Sequence, residues 1–162
     1  MTKIDVSAAR LALRMTTGSA IKAIEAAKTV IRSNDSQSAV LLIDIAVDRS
    51  HRKWSRIAAV YALGFLGHSA ATAALLRILP DVREDLQLRA HVAEALGNMR
   101  ETRALPVLRS ILMSDERAPL KKWCIYAASE IGGPKAHAIL NLFAKTHPAG
   151  MLKKELEAAL SR

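Results

Sequence analysis

The chain has 162 residues, 51% of them hydrophobic and only 4% aromatic, with 7 glycines, 5 prolines and a formal net charge of +9. That length supports one domain burying roughly 70% of its unfolded surface, and so little glycine, proline and aromatic material leaves packed helices as the expected class. The apolar runs fall far short of the ~20 residues that cross a bilayer, and Arg10 and Arg14 interrupt the first apolar stretch where the core of a leader would run.

The single cysteine, Cys124, can form neither an internal disulfide nor a thiolate metal cage; it sits in an apolar run, which predicts a core position and a reducing, cytoplasmic setting. The excess of basic side chains favours an anionic partner without separating nucleic acid from acidic protein.

In chain order, the apolar period predicts a first helix over residues 6–15, ended at Thr16-Thr17-Gly18, where glycine suits a C-cap. A helix over 19–32, the turn Ser33-Asn34-Asp35-Ser36 and a helix over 37–47 follow as a degenerate first hairpin. Three segments then superimpose: Arg56-Ile-Ala-Ala-Val-Tyr-Ala-Leu-Gly64, Arg89-Ala-His-Val-Ala-Glu-Ala-Leu-Gly97 and Lys121-Lys-Trp-Cys-Ile-Tyr-Ala-Ala-Ser129. Their steps are 89 − 56 = 33 and 121 − 89 = 32, and Lys154 falls 33 residues further on at the start of a last helix.

The register holds downstream. Leu66, Met99 and Ile131 align, then Leu75, Leu108 and Leu140, then Ile78, Ile111 and Phe143, all as core positions. Between these blocks lie Gly67-His68-Ser69, Arg100-Glu101-Thr102 and Gly132-Gly133-Pro134, each a turn before a second helix, with Pro134 in a first helical turn and Gly64 and Gly67 read as a helix-end pair. The expected architecture is all-α: an α-α superhelix of about ten helices, since a lone hairpin cannot bury its apolar face and must stack on its neighbours. As one domain over 1–162, it divides into a cap at 1–18, repeats at 19–48, 51–81, 84–114 and 117–146, and a cap at 149–162.

These residues resemble the HEAT family, most closely the short bacterial HEAT-like repeats of the phycobilisome-lyase type, whose units carry Arg-x-x-Ala-x-x-Ala-Leu-Gly. The match at 89–97 is good, the likeness covers 51–146, and the third copy departs from it with Ala128-Ser129 in place of Leu-Gly. The resemblance implies a solenoid fold, a tendency to serve as scaffold or adaptor, and second helices that line a concave groove.

Three surfaces are candidates for binding. The ladder Arg56, Arg89, Lys121 and Lys154 recurs at the repeat period and reads either as a stripe for phosphates or as a structural ladder. The structural ladder is preferred, with Asp48, Asp81 and Asp115 pairing to it across stacked repeats. Basic clusters at Arg49, His51, Arg52, Lys53 and Trp54, at Lys121, Lys122 and Trp123, and at Lys153 and Lys154 fit nucleic acid or a protein hot spot, unless each tryptophan is buried and the lysines merely solvated.

The third surface is the face of the second helices opposite the core. It carries Val40, Ile43 and Asp44, then Leu76 and Arg77, then Arg109, Ser110 and Met113, then His137, Asn141 and Lys145. Apolar at one end and basic at the other, it suits an acidic protein partner better than a duplex.

Catalytic motifs are absent: no His-Glu-x-x-His, His-Glu dipeptide, Cys pair, Gly-x-Ser-x-Gly or nucleotide-binding glycine loop occurs. No zinc or di-iron hydroxylase site is indicated, and His91 and Glu94, at i,i+3 on one helix, read as packing or a surface hydrogen bond. The expectation is therefore a non-catalytic adaptor or inhibitor, without cofactor or small-molecule substrate, holding an acidic protein in the groove. Ile43, Leu76 and Met113 would anchor that partner, and Arg77, Arg109 and Lys145 would steer it. A toxin-immunity protein is one concrete version; the alternative is nucleic-acid binding through the basic clusters, with DNA-glycosylase-like activity as its enzymatic form.

Overall fold

The structure is a computed structural model that describes residues 19–33, 38–147, 150 and 152–161. The expected helix over 6–15 with its cap at Gly18, and most of the first turn, lie outside the described residues. Among the described residues there are nine α-helices and no strand: α1 (Ala20–Ser33), α2 (Ser38–Val47), α3 (Lys53–Leu66), α4 (Thr72–Ile78), α5 (Leu86–Asn98), α6 (Leu105–Leu112), α7 (Ala118–Ile131), α8 (Gly133–Thr146) and α9 (Lys153–Leu160). Single 3-10 turns at Ser69–Ala71 and Thr102–Ala104 lead into α4 and α6.

Local chemistry sets the helix ends. The Asp85 carboxylate accepts from the Gln87 and Leu88 amides at 2.9 and 3.4 Å and caps α5, an arrangement worth about 1 kcal/mol. Gly67 ends α3 with φ +65°, a left-handed conformation that suits glycine. Proline occupies the first turn of α6, α7 and α8, where a missing N–H costs no hydrogen bond.

The odd-numbered helices pack side by side as one layer, and each second helix packs on the first helix of the next unit: α2 on α3, α4 on α5, α6 on α7, α8 on α9. That pattern is the solenoid expected from the repeat. Leu75, Leu108 and Leu140 are wholly buried, and Ile78, Ile111 and Phe143 nearly so, as their register predicts. Burying each such side chain contributes about 1.5–3 kcal/mol. Cys124 is wholly buried on α7, and burial pushes its thiol up to about 12.

Two expectations are corrected by the packing. Gly64 does not form a helix-end pair with Gly67; it lies within α3, where a Cβ would stand 2.7 Å from Ala95 Cα of α5. The Leu-Gly of the motif thus exists for close helix approach. The basic ladder is indeed buried and structural at Arg56, Arg89 and Lys121, but its carboxylate partners differ from those expected.

Arg56 Nε donates to Ala46 O at 2.9 Å and Nη1 to Glu84 at 2.7 Å, and Arg89 Nε donates to Leu79 O at 2.8 Å and Nη2 to Glu116. Each arginine therefore binds a carbonyl near the end of the preceding second helix and reaches forward to the next unit. Asp48, Asp81 and Asp115 are not the partners of Arg56, Arg89 and Lys121. Asp48 is engaged instead with Ser50, at 2.8 Å, and Asp81 with Arg49 and Arg83, at 2.7 and 2.9 Å, while Lys121 donates to Ser114 O.

Candidate functional site

The basic clusters found by sequence are largely neutralised within the fold. Arg49 pairs with Asp81 and Glu84 at 2.7 and 2.8 Å, Lys53 with Asp85 at 3.6 Å, Lys122 with Glu155 at 3.1 Å and Lys153 with Glu157 at 3.8 Å. Lys121 is buried, Trp54 and Trp123 are half-buried against the core, and Lys53 Nζ lies 5.1 Å from the Trp54 ring centre. Arg52 and Lys154 remain exposed. Of the ladder positions that could have formed a phosphate stripe, Arg56, Arg89 and Lys121 are buried and Lys154 alone is exposed.

The expected second-helix surface is only partly a groove. Val40 is 77% exposed, and Asp44, Arg77, Arg109, Asn141 and Lys145 are exposed, whereas Ile43, Leu76, Met113 and His137 are half-buried. Of the nine residues expected to hold a partner, Arg109 alone lines the groove that opens between α6 and α8. That groove has a volume of about 950 Å³, an apolar floor of Leu105, Ile139 and Leu142, and Arg103, Arg109 and Lys135 around it; no carboxylate lines it. Arg103 is held by Glu101 at 2.8 Å, while Arg109 and Lys135 make no ion pair among the described residues.

A second constellation lies on the first-helix layer, where the gathering of His91 and Glu94 with Trp123 and Tyr126 was not foreseen. On α5, His91 Nδ1 and a Glu94 carboxylate oxygen are 2.9 Å apart, so the hydrogen bond expected from their i,i+3 spacing forms. On α7, the Trp123 ring stands 6.3 Å from the His91 ring and meets Tyr126 edge-on at 5.5 Å. The Tyr126 hydroxyl donates to Asn98 Oδ1 of α5 at 2.9 Å. His91, Glu94, Trp123 and Tyr126 are all half-buried, which leaves them reachable from solvent.

The arrangement fixes an imidazole by its Nδ1 and leaves Nε2 as the nitrogen that can meet another molecule beside an aromatic wall. The sequence signal was present as two residues at one register on α5 and two on α7, but nothing contiguous joined them. Beyond Trp123 and Tyr126, a cleft of about 280 Å³ continues between α7 and α9, reaching Ser129, Glu155, Ala158 and Ala159.

Among the described residues no group of three or more His, Cys, Asp or Glu is placed to hold a metal ion. The donor set that a di-iron hydroxylase needs is not met by these residues.

HEAT repeats match residues 81–161, and the PBS lyase HEAT-like repeat matches residues 55–79. The chain is 34% identical over 71 residues to the deoxyhypusine hydroxylase of Schizosaccharomyces pombe, a stretch that is 44% of this chain and 22% of that protein. By fold it is similar to the solved complex of CpcE and CpcF of phycocyanin lyase from Nostoc sp. PCC7120. The TM-score is 0.71 at 21% identity, covering 96% of this chain and 62% of that one. The chain thus spans about a fifth of the length of the curated relative it matches.

These findings overturn the expectation of a non-catalytic adaptor, inhibitor or immunity protein without enzymatic activity. The 71 residues shared at 34% identity match part of an enzyme, the deoxyhypusine hydroxylase. The physical reason for the error is that a solenoid gathers reactive groups from successive helices, so the lack of short catalytic motifs does not argue against a site.

Proposed function

Because the chain belongs to the HEAT-repeat family, we propose that it is a lyase-associated enzyme subunit, working against a second protein chain and offering His91 as an acid–base group. The observation that carries the reading is the 2.9 Å contact of His91 Nδ1 with Glu94, beside Trp123 and Tyr126. Imidazole is the side chain most often used for proton transfer, and a carboxylate on one nitrogen fixes the ring's orientation. The aromatic pair supplies a wall against which a flat or apolar part of a substrate can lie.

A protein partner is supported by the likeness to a solved complex of two lyase chains. The partner would dock in the α6–α8 groove, where Arg109 and Lys135 beside Leu105, Ile139 and Leu142 fit an acidic segment with apolar side chains. The enzymatic part of the reading separates it from mere scaffolding: the partner leaves with a covalent change.

The test compares intact masses of the proteins that co-purify with the tagged chain from host cells carrying wild type, His91→Ala or no copy. The expected result is a co-purifying protein whose mass differs by one covalent group when the chain is absent, restored by wild type and not by His91→Ala at unchanged helicity. Identical masses in all three cells would overturn the proposal.

A further inference from the structure

Ser129 stands where the repeat register places Gly64 and Gly97, each eight residues after the basic ladder position: 64 − 56 = 8, 97 − 89 = 8, 129 − 121 = 8. At the two glycines the next first helix comes so close that a Cβ would lie 2.7 Å from the Cα of Ala95 or Ala127. A residue with a side chain cannot occupy such a contact. At the α7–α9 junction serine thus replaces the glycine of the close contact, and a cleft of about 280 Å³ remains there.

The walls of this cleft are Trp123, Ile125, Tyr126, Ala158 and Ala159, with Lys122 and Glu155, paired at 3.1 Å, at its edge. Within this nearly apolar lining the Ser129 hydroxyl oxygen is buried and has no hydrogen-bond partner. A helical serine ordinarily returns its hydroxyl to a backbone carbonyl or to water, and an unpaired buried hydroxyl costs about 1–3 kcal/mol. A ligand that supplied the missing partner would recover that cost. Size restricts the ligand as well: an apolar cavity of about 150 Å³ accepts benzene, so this cleft has room for one substituted or fused ring.

We propose that the cleft between α7 and α9 binds an aryl group bearing one hydrogen-bonding substituent, its ring against Trp123 and Tyr126 and its substituent on Ser129 Oγ. The inference rests on the packing of α7 against α9 and holds whether or not His91 acts as an acid–base group. The aryl group has two sources, a free small molecule or an aromatic side chain presented by another protein.

The test titrates isotope-labelled protein with 4-methylphenol and with toluene, which has the ring but not the hydroxyl, and follows amide shifts. Saturable shifts are expected at Tyr126, Ser129, Ala158 and Ala159. Ser129→Ala removes only the hydroxyl; it should weaken 4-methylphenol roughly fivefold, the value of one hydrogen bond, and leave toluene unchanged. Ala158→Phe, which fills the cleft from an exposed position on α9, should abolish both.

N-acetyl-tyrosinamide separates the two sources, binding more tightly than 4-methylphenol if the cleft takes a protein side chain and less tightly if it takes a free molecule. No saturation up to the solubility of 4-methylphenol, or binding that survives Ala158→Phe, would overturn the proposal.

Discussion

Gly97 of α5 faces Ala127 of α7 so closely that a Cβ on the glycine would stand 2.7 Å from the alanine Cα and 3.2 Å from its Cβ. The contact is with backbone, which no rotamer change relieves, so the spacing of α3 to α5 and of α5 to α7 depends on the absence of one carbon at each of those two junctions.

Replacing Gly97 or Gly64 by alanine sets two effects against each other. Alanine gains up to about 1 kcal/mol in helix propensity, while overpacking against a neighbouring helix costs about 1–3 kcal/mol. Because Ala127 and Ala95 cannot yield without moving their helices, the clash should win, with a net loss of about 1–2 kcal/mol by urea denaturation. Variants more stable than the parent would show that the helices are not this close.

The buried arginines should not be equivalent. Arg89→Ala strands the Leu79 carbonyl and deprives Glu116 of its only ion pair among the described residues, and losing one member of a buried pair costs about 3–5 kcal/mol. Arg56→Ala leaves Glu84 with Arg49 at 2.8 Å, so a smaller loss of about 2 kcal/mol is expected. Parallel chemical denaturation of the two variants measures the difference, and equal losses would contradict the shared-carboxylate geometry.

Acid should destabilise the fold through identified carboxylates. The Arg103 guanidinium, with help from the Arg103 amide and the Thr72 hydroxyl, holds Glu101 at about 2, below its ordinary value of 4.5. Arg56 and Arg49 likewise lower Glu84 despite its burial. A carboxyl depressed in the folded state stabilises it above the unfolded value, and that contribution is lost as pH falls from 4.5 toward 2. Melting temperature should therefore drop across that window, and Glu101→Gln should flatten the drop while lowering stability at neutral pH.

Cys124 should be inert in the native protein. Its thiol is wholly buried and raised to about 12, so almost no thiolate exists at neutral pH. Labelling with a maleimide at pH 7 should be slow in buffer and complete in denaturant, and rapid labelling of folded protein would place Cys124 outside the core.

The Arg-x-x-Ala-x-x-Ala-Leu-Gly period was legible because stacking imposes the same demand on each unit. The buried leucines at 75, 108 and 140 and the buried bases at 56, 89 and 121 are where the register puts them. The partners of those bases were misread, since Glu84 and Glu116 lie 28 and 27 residues downstream of their arginines and the nearer Asp48 and Asp81 are drawn into local turns. Distance along the chain was a poor guide to distance across a stack. The cluster on the first-helix layer was not assembled for a related reason: His91, Glu94, Trp123 and Tyr126 belong to two helices and form no string.

By itself, then, the sequence determined the helical class, the repeat, the core positions and the structural place of Arg56, Arg89 and Lys121, because each depends on a periodic demand that a residue pattern records directly. Only the tertiary structure decided which carboxylate meets which arginine, that several of the clustered bases are paired within the fold, and that a cleft opens where Ser129 replaces glycine. Those outcomes depend on how closely neighbouring helices approach and which faces they share, and that is set by side-chain volume at the contact between units.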